Sequence, residues 1–158
     1  MNEFKLRPIG TITSKEGLYT IQLNKTFLPA LTSLEGFGHL NVIWWFDGCD
    51  NETDRETLTE ESPYKNAPPV MGTFATRSPN RPNPIALSTV EVISINMEEG
   101  LITLSYIDAQ DNSPVLDLKP YTPSLDRVEH PRVPDWCSHW PKSVETSGEF
   151  PWEKEFNF

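Results

Sequence analysis

Apolar and polar positions alternate with a period of two along several short stretches of this chain, and a helical period surfaces only once. Phe4 to Thr13 and Gly17 to Leu23 read as two strands around the turn cluster "SKEG", a hairpin. "PALTSLEGFGHL" places Leu31, Leu34 and Phe37 at the spacing of a one- or two-turn helix ending at Gly36 or Gly38. "NVIWWF" is a continuous aromatic and β-branched run, as expected of a central strand covered on both faces. "DNETDRETLTEES" predicts a short exposed helix capped by Asp50 or Asn51, or else a loop. Val70 to Thr76 reads as a strand, and another begins near Ile85. In "ALSTVEVISINM" the alternation slips between Val92 and Ile93, which predicts a β-bulge, and "EEG" makes the next turn. "LITLSYIDA" sets Ile102, Leu104 and Tyr106 on one face and Thr103 and Ser105 on the other. "PVLDLKPY" reads as a last edge strand, because its flanking prolines cannot donate to a ladder.

Many short strands with short peripheral helices predict an all-β fold, either barrel or sandwich. The 15 prolines against 8 glycines in 158 residues reinforce this by excluding long helices. The length fits one domain, residues 1–126, followed by a C-terminal tail, 127–158. That tail carries Trp136, Trp140, Phe150, Trp152, Phe156 and Phe158, too many large aromatics for a disordered segment, so it should pack on the body or on a partner subunit. No apolar run is long enough to cross a bilayer and the start lacks a signal-peptide pattern, which reads as a cytosolic protein. Cys49 and Cys137 have no Cys-x-x-Cys spacing and read as ordinary thiols.

The formal net charge of −10 argues against a protein that coats phosphate backbones without selectivity. Ser62 to Val90 nevertheless contains no acid, while Lys65, Arg77 and Arg81 fall inside it, making a local positive island. There is no dinucleotide fingerprint, Walker loop or nucleophile elbow, and the histidines and cysteines match no standard zinc spacing. The chemistry therefore concentrates in two stretches. In "GTFATRSPNRPNPIALS", Pro79, Pro82 and Pro84 pre-order a connection far longer than a strand turn needs, and Arg77 and Arg81 offer forked donors to a carboxylate or phosphate. In "YIDAQDNSPVLDLKPY", Asp108, Asp111, Asp117, Lys119 and Tyr121 crowd around Asn112, where acids could face a cation or accept from sugar hydroxyls. Together they outline a site for a small zwitterionic or nucleotide-like ligand.

Those two motifs, with "GFGHL" and "RPIG" upstream, resemble the TrmO (TsaA-like) family of S-adenosylmethionine-dependent tRNA methyltransferases, from about Phe4 to Asp126. The resemblance implies a compact β-barrel and a homodimer with donor sites near the subunit interface. It implies N6-methylation of threonylcarbamoyladenosine beside the tRNA anticodon, with S-adenosyl-L-methionine as donor. Carried onto this chain, the donor-contacting positions are Arg77, Leu87, Asp111, Asn112, Ser113 and Pro114. Arg81, Asn83 and Lys119 become candidates for contact with the tRNA substrate, and Asp117 and Tyr121 for proton removal or nucleobase contact.

Departures from the family pattern are specific. Asp111-Asn112-Ser113-Pro114 stands where Asp-Gly-Thr-Pro is usual, a change that keeps a residue tolerant of positive φ and keeps a hydroxyl. Ala86 stands for a glycine, Asp47-Gly48 for a His-Gln pair, and a Pro-Arg-Gln loop is deleted between Thr13 and Leu18. The aromatic tail stands where longer members have a second domain. Two other functions remain open on the sequence: methylation of a small metabolite or free nucleoside, and a non-catalytic sensor that binds the donor.

Overall fold

The computed structural model describes residues 4–158. Eight strands run β1 Gly10–Lys15, β2 Leu18–Leu23, β3 His39–Trp45, β4 Thr59–Glu61, β5 Val70–Gly72, β6 Ile85–Asn96, β7 Leu101–Leu104 and β8 Pro114–Pro120. Six of them close into a barrel in the order β1-β2-β7-β6-β3-β8, every neighbouring pair antiparallel. The fold is therefore all-β, and the barrel alternative is the one realised. β4 and β5 form a separate two-stranded ribbon. The helices are single turns: α1 Glu52–Arg55, α2 Pro123–Asp126, α3 Val144–Ser147 and short 3-10 segments.

Period-two alternation builds the core. Ile12, Ile21, Leu40, Val42, Ile102 and Val115 point inward and are fully buried, with Trp44, Val90 and Leu104 beside them. Each such side chain contributes about 1.5–3 kcal/mol by leaving water. Leu31, on the 3-10 segment Lys25–Leu31, joins this cluster where the chain leaves β2, and Ile107 joins it where the chain leaves β7. These two side chains plug opposite ends of the barrel.

Several sequence expectations hold. Glu16 and Gly17, with φ of 54° and 79°, make the two-residue turn between β1 and β2. Asn51 caps α1 by accepting from the Asp54 amide. The register between β6 and β7 shifts between Val92 and Ser94, at the expected bulge.

Others are corrected. β1 starts at Gly10, not Phe4, because Phe4 to Pro8 lie outside the ladder and are exposed. The helical turn lies at Lys25–Leu31; the Leu34 and Phe37 region is a run of turns, interrupted by positive φ at Ser33 and Gly36. β3 alternates rather than being sealed on both sides, its outward residues being half-buried. β5 stops at Gly72, where Thr73–Ala75 becomes a 3-10 turn, and its partner β4 lies inside the acidic run. β7 ends at Leu104: the Ser105 amide bonds to the Glu91 carbonyl, Tyr106 turns outward at 57% exposure, and Ile107 takes the interior place. β8 is not an edge. Its prolines stand at its two ends while its middle pairs with β3, and it closes the barrel onto β1.

The tail packs on the body. Tyr64 is enclosed by Trp136 (stacked, 5.5 Å), Trp140 (edge-on, 5.1 Å) and Phe156 (5.8 Å). The Lys65 amide donates to the Glu155 carbonyl at 2.9 Å, and the Asn157 side chain donates to the Ser62 carbonyl at 2.7 Å. Where the tail begins, Asp126 accepts from Asn41 of β3 at 2.8 Å, and Asn41 in turn accepts from Thr89 of β6 at 2.8 Å.

Two outcomes follow from this packing. At Gly10 a methyl would collide with the Gln22 carbonyl across the β1–β2 pair, so Gly10→Ala should lose about 1–3 kcal/mol in chemical denaturation. The Glu155 carboxyl is held below its ordinary value of 4.5 by the hydrogen bond from His139 (3.0 Å), and secondarily by that from Trp140. A depressed carboxyl stabilises the folded state fully above the unfolded value, and that stabilisation disappears as pH falls through the lower folded value. Tail tryptophan fluorescence should therefore report loosening upon acidification below about pH 4.5, and Glu155→Gln should flatten that response.

Candidate functional site

The proline-rich connection shows what its unusual residues do. Pro79, Pro82 and Pro84 have no N–H, so the carbonyls along this crossing lack the donors that a strand partner would provide. Guanidinium groups replace them. Arg81 donates to the carbonyls of Ser78 (2.6 Å), Thr76 (2.8 Å) and Thr73 (3.3 Å), and Arg55 of α1 donates to the carbonyl of Pro82 (2.8 Å). Hydroxyls complete the inner bonding: Thr76 donates to Thr73 and accepts from the Ser78 amide, and Ser78 accepts from the Asn80 amide. The loop is joined to the end of β3 where the Phe46 amide bonds to the Pro84 carbonyl at 2.8 Å.

Arg77 differs from the other two arginines. It is exposed, and its guanidinium makes a single long contact of 3.4 Å to the Leu87 carbonyl. Its amide and charge also lie against the Tyr64 phenol, whose pKa is raised by burial first and by Glu60 second, with Arg77 pulling the other way. Leu87, half-exposed at 48%, stands on the outer wall of β6 in one row with Ile43 of β3 and Asp117 of β8. Strand spacing puts Leu87 and Asp117 about 10 Å apart across that row.

The second motif lies on the same end of the barrel. Antiparallel order throughout brings the start of β6, the end of β3 and the start of β8 together with the β1–β2 turn. There Asp111 accepts from the Ser14 amide at 3.0 Å, the Asn112 amide bonds to the Ile12 carbonyl, and the Ser113 carbonyl accepts from the Ile12 amide. Asn112 has φ of 68°, the left-handed conformation that asparagine tolerates and most residues do not. The Ser113 hydroxyl is fully buried and has no hydrogen-bond partner, an unusual state that a bound polar ligand would relieve.

Not every candidate joins this end. Tyr121 follows β8 at the opposite end, where its amide bonds to the His39 carbonyl and its ring meets His39 edge-on. It is four residues from Asp117, about 13 Å along the strand. Asp117 is paired with Lys119 at 2.9 Å, and this pairing raises the Lys119 pKa. Asn83 is exposed on the loop, its carbonyl accepting from the Ile85 amide. Cys49, beside the rim, has its thiol pushed up by burial and then by Asp54 and Asp47, so it stays protonated at neutral pH.

The two motif segments border an open rim. Among the described residues, two open clefts lie elsewhere, about 370 Å³ beside Glu60–Pro63 and about 640 Å³ beside Gln22–Lys25, and neither is lined by a candidate residue. Arg55 is the residue that sequence reasoning passed over. The signal was present, since it is the only base among the acids from Asp50 to Glu61.

Comparison with known proteins identifies the family. The sequence pattern of the tRNA-methyltransferase O N-terminal domain matches residues 2–127. An S-adenosyl-L-methionine-binding protein of Archaeoglobus fulgidus is 31% identical over 137 residues, covering 78% of this chain and 93% of that protein. A probable S-adenosyl-L-methionine-binding protein of Methanocaldococcus jannaschii is 32% identical, covering 78% and 96%. The tRNA (adenine(37)-N6)-methyltransferase of Escherichia coli is 38% identical over 124 residues, covering 77% of this chain and 52% of the enzyme. The crystal structure of TrmO from Pseudomonas aeruginosa superposes with a TM-score of 0.65 at 30% identity, covering 84% of this chain and 61% of that one. With a family pattern spanning most of its length and a barrel shared with a solved member, the chain belongs to the TrmO family.

Proposed function

We propose that this protein binds S-adenosyl-L-methionine at the barrel end shared by the two motifs and methylates N6 of threonylcarbamoyladenosine beside the anticodon of tRNA. The observation that carries the reading is the unequal use of the arginines. Arg55 and Arg81 are engaged by loop carbonyls, whereas the exposed Arg77 guanidinium has only one long contact, to the Leu87 carbonyl, and has N–H groups left to fork onto the donor's carboxylate. The Asp111–Pro114 loop faces the same end and supplies a buried hydroxyl without a partner. The residues present thus fit the donor, although no counterpart of the family's His-Gln pair or Pro-Arg-Gln loop adds to them.

When bound, the donor supplies an electrophilic methyl on a sulfonium sulfur. Transfer of that methyl to the acceptor nitrogen would leave the donor as a neutral thioether and would require the nitrogen to give up one proton to the protein or to solvent. The chain's part is positioning, because an in-line displacement requires the reacting atoms within about 3–3.5 Å and aligned. Asp117, on the wall row with Leu87, is the proton acceptor in this reading, and its pairing with Lys119 fixes where the carboxylate stands. Tyr121, at the far end, takes no part within the same subunit. Because the rim is open, a second copy of the chain completes the site. Exposed Phe74, Ile85 and Leu87 provide apolar surface for that contact, as a family homodimer would require.

The charge distribution favours a second reading. Glu16, Asp47, Asp50, Asp108 and Asp111 belong to the segments at the donor end, and a polyanion approaching it meets repulsion. A small uncharged acceptor, such as a free modified nucleoside, would not.

Incubation with isotopically labelled donor and tRNA lacking this methyl group should place label on N6 of threonylcarbamoyladenosine, read by nucleoside mass spectrometry. Label on a small acceptor alone would replace tRNA by the second reading, and donor binding without transfer to any acceptor would make the protein a sensor. Arg77→Ala should weaken donor affinity by about tenfold or more with the melting temperature unchanged. Ser113→Ala should leave the ligand-free protein as stable as before or up to about 1 kcal/mol more stable, since it removes a buried unpaired hydroxyl, while donor affinity falls.

A further inference from the structure

We propose that Arg55 is a positioning residue for methyl transfer: it holds the Arg77-bearing loop from outside and never touches the donor. This rests on the reading of Arg77 as a donor ligand. Three contacts converge on the one guanidinium. Its Nη1 donates to the Pro82 carbonyl at 2.8 Å, its Nε donates to the Asp50 carboxylate, and its Cζ lies over the Trp45 ring, 5.6 Å from the centroid. Trp45 is the last residue of β3 and pairs with Ile85, the first residue of β6, so this cation–π contact stands where the loop re-enters the barrel. Pro82 lies five residues after Arg77 and three before Ile85, at the middle of the segment that has no N–H groups at positions 79, 82 and 84.

The geometry explains why arginine is needed. Lysine could keep the ion pair with Asp50, but a point charge on a flexible stem cannot at once lie over the indole and direct a second, fixed donor to a carbonyl. Without the fork, the Pro82 carbonyl has no donor from the loop's own backbone, because the prolines have removed them. Arg81 still ties Ser78, Thr76 and Thr73, and the Phe46 amide still holds the Pro84 carbonyl, so the stretch between them, Arg81 to Asn83, is what loses its restraint. Arg77 contacts the Leu87 carbonyl beyond that stretch, and the separation between Arg77 and the β6 wall would then vary. Acid-rich α1 thereby gains a purpose: it presents one base, oriented by Asp50, to the loop.

The test combines two readouts on the full chain, comparing wild type with Arg55→Ala and Arg55→Lys. Exchange of the loop amides of Asn80, Arg81 and Asn83 should quicken by about tenfold or more in both variants, with the barrel strands unaffected. Donor affinity, measured by calorimetry, should fall by about tenfold in both. In a double-mutant cycle with Arg77→Ala the losses should not add, because Arg55 acts through Arg77. Unchanged exchange at these amides overturns the clamp. Wild-type affinity in Arg55→Lys, or fully additive losses with Arg77→Ala, overturns the positioning role. A wild type that binds no donor overturns the functional reading and with it the role of Arg55 in the reaction, whereas the exchange result decides separately whether the clamp exists.

Discussion

Carbonyls without backbone donors are the constraint around which this molecule is organised. Three prolines between Ser78 and Ile85 make the crossing into β6 stiff, yet they also remove the N–H groups with which a chain ordinarily bonds itself or its neighbours. Buried or half-buried carbonyls left in that state would each cost free energy on the scale of a lost hydrogen bond. Guanidinium groups solve the problem because one side chain offers five donors in a rigid plane. Arg81 does so from inside the loop and Arg55 from the neighbouring helix. Arg77, whose guanidinium is left exposed, is distinguished from them by exclusion rather than by any property of its own.

Closure of the barrel gives the loop its address. In an antiparallel barrel, successive strand ends alternate between the two poles, so the entry to β6 and the entry to β8 share one pole even though 29 residues separate Ile85 from Pro114. β3 lies between them and pairs with both, which puts Ala86, Trp44 and Val115 in one row inside and Leu87, Ile43 and Asp117 in the next row outside. The interior row is core. The exterior row lines a candidate site.

The aromatic tail extends that body rather than trailing from it. Tyr64 stands between the tail's indoles and the Arg77 backbone, so one ring connects the C-terminal cluster to the motif loop. At the tail's start, the Thr89–Asn41–Asp126 chain of hydrogen bonds fixes the exit from β8 against the outer face of β3. Three ion pairs join neighbouring charges on this body: Arg55 with Asp50, Lys119 with Asp117, His139 with Glu155.

Much of this was written locally. The β1–β2 hairpin, the Asn51 cap, the bulge after Val92 and the positive φ at Asn112 each follow from a few adjacent residues, because turn and cap chemistry depends on backbone conformations that only certain residues accept. The motif residues could be named from the sequence for the same reason: proline and arginine at that density have few uses. What the sequence alone left undecided was every choice between long-range partners. Prolines at both ends of β8 look like an edge signal until closure gives the strand two neighbours, and Tyr106 looks inward until Ser105 bonds to Glu91 and hands the interior to Ile107. Arg77, Arg81 and the overlooked Arg55 are chemically alike in one dimension. Only the tertiary arrangement separated the two guanidiniums bonded within the loop from Arg77, which stays exposed with one long contact to the Leu87 carbonyl.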